Sequence, residues 1–167
     1  MRFFPWVLLL GLAAAFALSS LEDGDGAPAG EGRGLEGRVS RVVDGDTIHV
    51  QVDGRREKVR LIGVDTPESV KPGTPVECFA KAASAFTKQA LDGRRVRLTT
   101  DAEERDRYGR LLAYVRRKPD GWFHNAELVR QGYAMVLTIP PNVAHAERFR
   151  RLAREAREAG RGLWRAC

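Results

Sequence analysis

Cysteine and histidine are scarce in this chain of 167 residues, which has two cysteines, Cys78 and Cys167, and three histidines. Neither cysteine belongs to a CxxC pair and no two histidines have HxxxH spacing, which excludes a zinc finger or a zinc ribbon. The sequence also lacks a glycine-rich phosphate loop and the GxSxG motif of serine hydrolases. Any metal chemistry in this protein must therefore use oxygen ligands.

Charged side chains, by contrast, are abundant. Lysine and arginine number 28 against 22 aspartates and glutamates, a net charge of +6. The first 37 residues hold two basic and five acidic side chains, so residues 38–167 carry a net charge of +9. Such an excess favours a polyanionic partner, which is a nucleic acid, an anionic membrane or a glycan. A soluble basic protein with no such partner has the same composition.

Residues 1–20 are a candidate export signal. Arg2 precedes an apolar run over residues 3–18, and Ala-Phe-Ala at 15–17 resembles a cleavage site. The alternative is an uncleaved membrane anchor, although this run is shorter than the roughly 20 residues that cross a bilayer without tilt. Both interpretations place the rest of the chain outside the cytoplasm. Residues 21–37, rich in glycine and acidic residues, are predicted to be a flexible linker.

Residues 38–167 have the pattern of one α+β domain with five strands and three helices. Apolar alternation predicts strands at residues 39–43, 48–52, 59–62, 95–98 and 111–115. Helical spacing predicts helices over residues 79–90 and 125–130, and a last helix that Asn142 caps and Gly160 ends. A helix between the third and fourth of five strands is the order of an OB-fold, a small closed β-barrel.

Three short stretches collect charged side chains next to strand ends. They are DGDT at Asp44–Thr47, RLIGVDTPE at Arg60–Glu68 and DRYGR at Asp106–Arg110. Each stretch alone fits an ordinary turn or a solvated loop. Together they supply carboxylates for a hard cation such as calcium and arginines for a phosphate, a combination suited to phosphodiester hydrolysis.

These stretches resemble the staphylococcal nuclease-like (thermonuclease) family. The resemblance is carried, in the family's order, by VVDGDTIHV, VRLIGVDTPE, AASAFTKQAL, DRYGRLLAYV, NAELVRQGYA and the closing GLW. It implies an OB-fold and a calcium-dependent nuclease that acts on DNA and RNA. Water attacks phosphorus and the P–O5′ bond breaks, which leaves 3′-phosphate ends. The resemblance implies a monomer without a protein partner, and a membrane enters only through an uncleaved N-terminal segment.

The resemblance also implies a role for each acidic residue of the site. Asp46 and Asp65 correspond to carboxylate ligands of calcium, and Thr66 corresponds to the residue whose backbone carbonyl is a ligand. Asp44 corresponds to an acid that lies near the metal without binding it directly. Glu68 corresponds to the general base that takes a proton from the attacking water.

Basic and aromatic residues of the site are implied in the same way. Arg60 and Arg110 correspond to the two arginines that hold the phosphate, and Tyr108 to a tyrosine that bonds a terminal phosphate. Arg107 stands where family members have a lysine that makes a point contact with phosphate. The sequence departs from the pattern at Leu137, where well-studied family members have a tyrosine that packs against a base. Base stacking contributes roughly 1–3 kcal/mol, so we expect altered substrate affinity and an unaltered hydrolytic centre.

Two further expectations leave alternatives open. Two cysteines in an exported protein favour a disulfide. In the resembling fold the C-terminal segment returns to the start of the first helix, which implies a bond between Cys78 and Cys167. Two free thiols are the alternative. The outward arginines of the last helix are expected to contribute diffuse charge; they are Arg148, Arg151, Arg154 and Arg157.

Two other classes of function compete with a secreted or surface-exposed nuclease. One is a non-catalytic nucleic-acid-binding or protein-binding module of the same fold. Such members typically lose the acids and arginines of the site, whereas this sequence retains all of them. The other is a membrane-anchored surface protein whose basic face holds an anionic polymer, and it predicts binding without cleavage.

Overall fold

The computed structural model describes residues 34–68, 73 and 75–167. In this part of the chain seven strands and four helices follow one another. The strands are β1 (Gly34–Val42), β2 (Thr47–Val52), β3 (Arg55–Leu61), β4 (Gly63–Asp65), β5 (Arg95–Thr99), β6 (Leu111–Arg117) and β7 (Met135–Leu137). The helices are α1 (Ala80–Leu91), α2 (His124–Arg130), α3 (Ala146–Glu158) and α4 (Leu163–Ala166). The predicted signal or anchor, residues 1–20, lies outside the described residues.

Five strands form a closed barrel in the order β1–β2–β3–β6–β5. Antiparallel pairing joins β1 to β2, β2 to β3 and β5 to β6, whereas β3 and β6 are parallel. The antiparallel pair of β1 and β5 closes the barrel. The predicted five-stranded barrel of the OB type is therefore confirmed. Helix α1 lies, as predicted, between the third and fourth barrel strands of the sequence.

Strand β1 begins earlier than the sequence predicts, because Gly34–Gly37 belong to it and not to the linker. These residues lack apolar alternation, and their glycines suggested flexibility. Their backbone pairs with Thr99–Val96 of β5, and this pairing closes the barrel. Glycine is required at Gly37, since a Cβ atom there would lie 2.4 Å from the carbonyl oxygen of Gln51.

Apolar side chains that alternate along the strands fill the barrel interior. Ile48 and Val50 of β2, Val59 of β3 and Leu98 of β5 are completely buried. Burial of a side chain of this size contributes about 1.5–3 kcal/mol. The intervening residues of the same strands face outward, and on β3 and β5 they include Arg56, Lys58, Arg60 and Arg95.

A buried amide fixes α2 against the barrel. The Asn125 side chain donates a hydrogen bond to the carbonyl of Ile62 and accepts one from the amide of Val115, both at 2.9 Å. These two backbone groups lie at the end of β3 and within β6. Asn125 thus satisfies polar groups that would otherwise be buried without partners.

Helix α3 starts at Ala146, so the prediction that Asn142 caps it is wrong. The Asn142 side chain instead forms two hydrogen bonds with the backbone of Glu103, accepting from its amide at 2.7 Å and donating to its carbonyl at 2.9 Å. The sequence predicts a helix cap from the residue type alone. An asparagine side chain, which has both a donor and an acceptor, can equally well form hydrogen bonds with the backbone of a loop. The short helix α4 and the small sheet of β4 and β7 were not predicted.

Some arginines of α3 contact aromatic rings, whereas the sequence predicts a row of arginines that face solvent. Arg148 is half-buried over the ring of Phe123, 5.3 Å from its centre. Arg157 lies 4.4 Å above the ring of Trp164. Within the described part of the chain, no helix is both long enough and apolar enough to cross a membrane.

Cys78 and Cys167 form a disulfide, as the resemblance implies. Cys78 precedes α1 and Cys167 follows α4, and their Cα atoms lie 6.0 Å apart. The bond joins positions separated by 89 residues. The C-terminal end is thereby attached beside the loop that leads into α1.

Replacing both cysteines with serine (Cys78→Ser, Cys167→Ser) should lower the free energy of unfolding by about 4–5 kcal/mol, because the unfolded chain regains the entropy that a loop of this length loses. Urea unfolding followed by circular dichroism measures the change. Wild-type protein treated with a reductant is the control and should unfold at the midpoint of the double variant. An unchanged midpoint in both samples would show that the bond contributes no stability.

Candidate active site

The carboxylate of Asp46 lies just before β2 and is 5% exposed. Its Oδ2 atom accepts hydrogen bonds from the amide (2.8 Å) and the hydroxyl (3.0 Å) of Thr66. Its Oδ1 atom accepts one from the Thr47 hydroxyl at 3.0 Å. Arg60 adds an ion pair at 3.1 Å. This one carboxylate therefore connects the loop before β2 with β3 and with the residue that follows β4.

The guanidinium of Arg60 lies between the two carboxylates that are predicted to bind a metal. Its Nη1 atom is 3.1 Å from Asp46 and its Nη2 atom is 2.8 Å from Asp65. Nη1 also donates to the carbonyl oxygens of Leu61 (3.2 Å) and Val64 (2.9 Å). These bonds hold the guanidinium at the end of β3, with both carboxylates beside it.

Helices α1 and α2 hold the loop of Asp46 from the interior side. The Thr87 hydroxyl of α1 donates to the carbonyl of Gly45 at 2.6 Å and lies 3.0 Å from Nε2 of His124. Since Thr87 has one hydroxyl proton, His124 donates in the second contact. Burial lowers the pKa of His124 to about 3, so its ring is neutral. A Cβ atom at Gly45 would lie 2.6 Å from the Thr66 side chain.

Negative charge is incompletely compensated at the site. Burial, together with the charge of Asp46, raises the pKa of Asp44 to about 6. Burial also raises the pKa of Asp65; Arg60 opposes this shift, and the charges of Asp46 and Glu77 reinforce it. Carboxylates whose pKa values are raised in this way gain stability from an added cation.

Glu68 lies beside the same carboxylates and its backbone is held by Glu77. The Glu77 carboxylate accepts a hydrogen bond from the Glu68 amide at 2.9 Å, and the Glu68 carbonyl accepts one from the Glu77 amide at 3.1 Å. Glu77 is not among the predicted site residues. No motif marks it, because it follows a proline-rich loop whose path the sequence does not reveal.

Asp106 shapes the loop that carries Arg110. Its Oδ1 atom accepts from the amides of Tyr108 (2.9 Å) and Arg110 (3.0 Å), and its Oδ2 atom accepts from Nε of Arg110 at 2.6 Å. The Tyr108 ring lies between two guanidinium groups, with Arg107 at 4.8 Å and Arg110 at 5.5 Å from its centre. Asp106 was also missed, although an aspartate three residues before Gly109 is a turn signal.

Two adjoining depressions collect the predicted residues. The first, of about 360 Å³, is acidic, and its lining includes Asp44, Asp46, Asp65, Thr66, Glu68 and Glu77. The second, of about 490 Å³, is mostly apolar, and its lining includes Val64, Leu112, Leu137, Ile139, Arg107 and Tyr108. Arg60 and Arg110 line both depressions. The structure thus brings all the predicted residues of the hydrolytic site together, with the two arginines between an acidic and an apolar compartment.

The acidic depression fits a hard cation. Its donors are carboxylate, carbonyl and hydroxyl oxygens, the ligand type that calcium and magnesium prefer. Within the described residues, no group of three or more His, Cys, Asp or Glu side chains forms a metal cluster. A cation in this depression would therefore need backbone and water oxygens beside Asp46 and Asp65, which agrees with the role expected for the Thr66 carbonyl.

Comparison with known proteins decides the family. The sequence-family model of the staphylococcal nuclease homologues matches residues 58–166 of this chain. The chain is 42% identical over 165 residues to a thermonuclease of Staphylococcus intermedius, with 95% of each chain covered. It is 44% identical over 131 residues to a thermonuclease of Staphylococcus hyicus, with 76% of this chain and 74% of the relative covered.

The chain belongs to the staphylococcal nuclease family. It is a hydrolase that acts as a nuclease. Endonuclease YncB of Bacillus subtilis (strain 168) is a more distant relative, 36% identical over 128 residues, with 75% of this chain and 60% of the relative covered.

Arg60→Ala should destabilise the fold far more than Arg110→Ala. The first change leaves the buried Asp46 carboxylate without its cation and should cost about 3–5 kcal/mol. The second removes a partly exposed pair with Asp106 and should cost less than about 1 kcal/mol. Urea unfolding of both variants in one buffer makes the comparison. Equal losses would show that Arg60 does not stabilise the buried carboxylate.

Asp44→Asn should change how stability depends on pH. A carboxyl whose pKa is raised on folding from 3.8 to about 6 binds its proton more tightly in the folded state, so the wild type loses stability as pH rises through this range. The loss is about 3 kcal/mol and is nearly complete by about pH 7. The variant lacks this loss because asparagine does not titrate. Urea unfolding in chelator from pH about 4 to 7 tests this, and parallel profiles for the two proteins would refute it.

Proposed function

We propose that this protein is an exported, calcium-dependent nuclease that hydrolyses the P–O5′ bonds of DNA and RNA and leaves 3′-phosphate ends. The observation that carries the proposal is the position of Arg60 and Arg110, which line both the acidic and the apolar depression. A phosphodiester lying between the two arginines would have a cation site on one side. Its attached nucleoside would have an apolar compartment on the other.

Calcium would be held by Asp46, Asp65 and the carbonyl of Thr66, with Asp44 supporting the loop. When bound, the ion neutralises charge on a non-bridging phosphate oxygen. Glu68 accepts a proton from the water whose oxygen forms the new bond to phosphorus. The P–O5′ bond breaks, and the departing 5′-oxygen takes its proton from solvent.

The two arginines have different roles before substrate arrives. The Nη1 atom of Arg60 already contacts Asp46 and two carbonyls, and its Nη2 atom contacts Asp65, which leaves Nε and one Nη2 hydrogen for a phosphate oxygen. Arg110 is paired with Asp106 through its Nε atom. Its two terminal nitrogens are the larger set of donors for the negative charge that builds in the transition state.

Export is supported by two independent features. The apolar run at residues 3–18 has the features of a signal peptide. The disulfide between Cys78 and Cys167 is typical of proteins that fold in an oxidising compartment.

At two exposed positions of the apolar compartment, a base would contact aliphatic side chains and would not stack on an aromatic ring. Leu137 and Ile139 are 39% and 58% exposed there. Tyr133 does not replace the missing ring, because it is stacked on Phe86 with the ring centres 4.2 Å apart. We infer that the enzyme binds its substrate mainly through phosphates, with weak preference among bases.

Arg110→Ala should lower kcat on saturating DNA with calcium by about 10²- to 10³-fold, because it removes donors used in the transition state. Arg107→Ala, the neighbouring control, should raise KM and leave kcat within a few-fold, because its contact is with phosphate in both ground and transition states. Steady-state kinetics on plasmid and on single-stranded DNA separate the two effects. A raised KM with an unchanged kcat for Arg110→Ala would show that this residue only binds the phosphate. Undiminished cleavage by the wild type in chelator would refute the calcium requirement.

A further inference from the structure

Basic side chains cover the outer face of the barrel beside the site. We call this set the barrel basic face: Arg38, Arg41, Arg56, Lys58 and Arg95. All five are exposed and lie on β1, β3 and β5.

Strand register places these cations in rows across the sheet. Lys58 is opposite His49, which is opposite Arg41. In the next row, Arg56 is opposite Gln51, which is opposite Arg38, and Arg38 is opposite Arg95. Residues directly opposite each other point to the same side of a sheet, so each row forms one band around the outside.

The bands are continuous with the catalytic arginine. Arg60 is opposite Thr47 in the row that follows Lys58 and His49. Alternate residues of a strand point to one face and lie about 6.6 Å apart. Arg60, Lys58 and Arg56 therefore follow one another along the same side of β3, leading away from the acidic depression.

Acids balance this positive charge only in part, because Arg95 lies 3.9 Å from Glu36 and the other cations have no such pair among the described residues. Among the described residues, no carboxylate lies within 4.0 Å of the charged groups of Arg41, Arg56 or Lys58. Burial, followed by the charges of Arg56, Arg41 and Lys58, lowers the pKa of His49. Arg38 and Arg95 are directly opposite each other, and like charges at such positions destabilise a sheet unless an anion covers them.

Helix α3 provides a contrast within the same molecule. Its Arg150 pairs with Glu147 at 2.9 Å, and its Arg151 lies 3.8 Å from Glu155. Acids of the same helix therefore compensate part of its positive charge.

We propose that the barrel basic face binds the phosphate backbone of a single nucleic-acid strand as that strand leaves the catalytic centre. This inference rests on the proposed function, because the strand is the one cleaved between Arg60 and Arg110. The line of cations on β3 follows one backbone. Exposed aromatic rings are absent from the described residues of the face, so contact is through phosphates and is independent of sequence.

The test compares two triple variants of the full chain. One removes charge from the barrel basic face (Arg41→Gln, Arg56→Gln, Lys58→Gln). The matched control removes the same charge from α3 (Arg150→Gln, Arg151→Gln, Arg154→Gln). The probe is a fluorescent oligothymidylate of about 20 nucleotides, longer than the site of one OB-fold. Binding is measured in chelator, without cleavage, at several salt concentrations.

The barrel variant should bind the probe about 10- to 100-fold more weakly at about 0.1 M salt, and its slope of log affinity against log salt should be smaller by about 2. The α3 control should change affinity less than about threefold and the slope by less than about half a unit. Cleavage of a dinucleoside monophosphate with calcium should be equal in both variants and the wild type, because its single phosphate lies at Arg60 and Arg110 and leaves no second phosphate for Lys58. The barrel variant should keep its stability, since it removes only mutual repulsion.

Several results would overturn the proposal. Equal weakening in the two variants would show a general effect of net charge, and unchanged binding in the barrel variant would show no role for the face. Lost cleavage of the dinucleoside monophosphate in the barrel variant would show damage to the catalytic centre. Binding to phosphatidylserine vesicles that falls while oligothymidylate binding is kept would assign the face to a membrane. If the wild type cleaves nothing, the proposed function fails, whereas binding in chelator still decides the role of the face.

Discussion

The Asp46 carboxylate accepts hydrogen bonds from Thr47 and Thr66 and forms an ion pair with Arg60. These partners belong to three separate parts of the chain, so one nearly buried charge determines how the loop before β2, the end of β3 and the residue after β4 meet. A buried carboxylate needs all these donors, because an unpaired one would be too costly to bury. The same atoms are those expected to bind the cation. The structure and the proposed chemistry therefore depend on the same group, and the Thr87–Gly45 hydrogen bond stabilises the loop that carries it.

The site combines two opposite electrostatic requirements. The acidic depression is proposed to bind a cation, yet a nucleic-acid substrate is a polyanion that such a depression would repel. The structure separates the two demands over a short distance: Arg60 and Arg110 lie at the boundary, and the outer strands add positive charge beyond it. In the proposed mechanism, long-range attraction would bring the substrate to the surface, where the arginines and the cation would offset the charge of the local carboxylates. The raised pKa of Asp44 is a direct sign of this crowding.

Much of the fold and the site could be predicted from the sequence, because alternation along strands and the three charged stretches are local signals. The barrel, its order and the grouping of predicted residues follow from them. The missed features depend on contacts between distant segments. Gly34 pairs with β5 through its backbone alone, and Asn142 bonds to a loop 39 residues away. Glu77 and His124 enter the site region through a loop path and a helix packing that residue types do not encode.

The bond between Cys78 and Cys167 closes the second half of the protein into a covalent ring. Arg110 lies within this ring, whereas Asp46 and Asp65 precede it. A protease that cuts one peptide bond between residues 78 and 167 opens the ring without releasing a fragment, and both pieces stay attached to the carboxylates. A cut before Cys78 instead leaves the two halves of the active site joined only by non-covalent contacts. In a medium that contains proteases, the effect of a single cut therefore depends on its position, and a cut in the short segment between Glu68 and Cys78 separates the acids and Arg60 from Arg110.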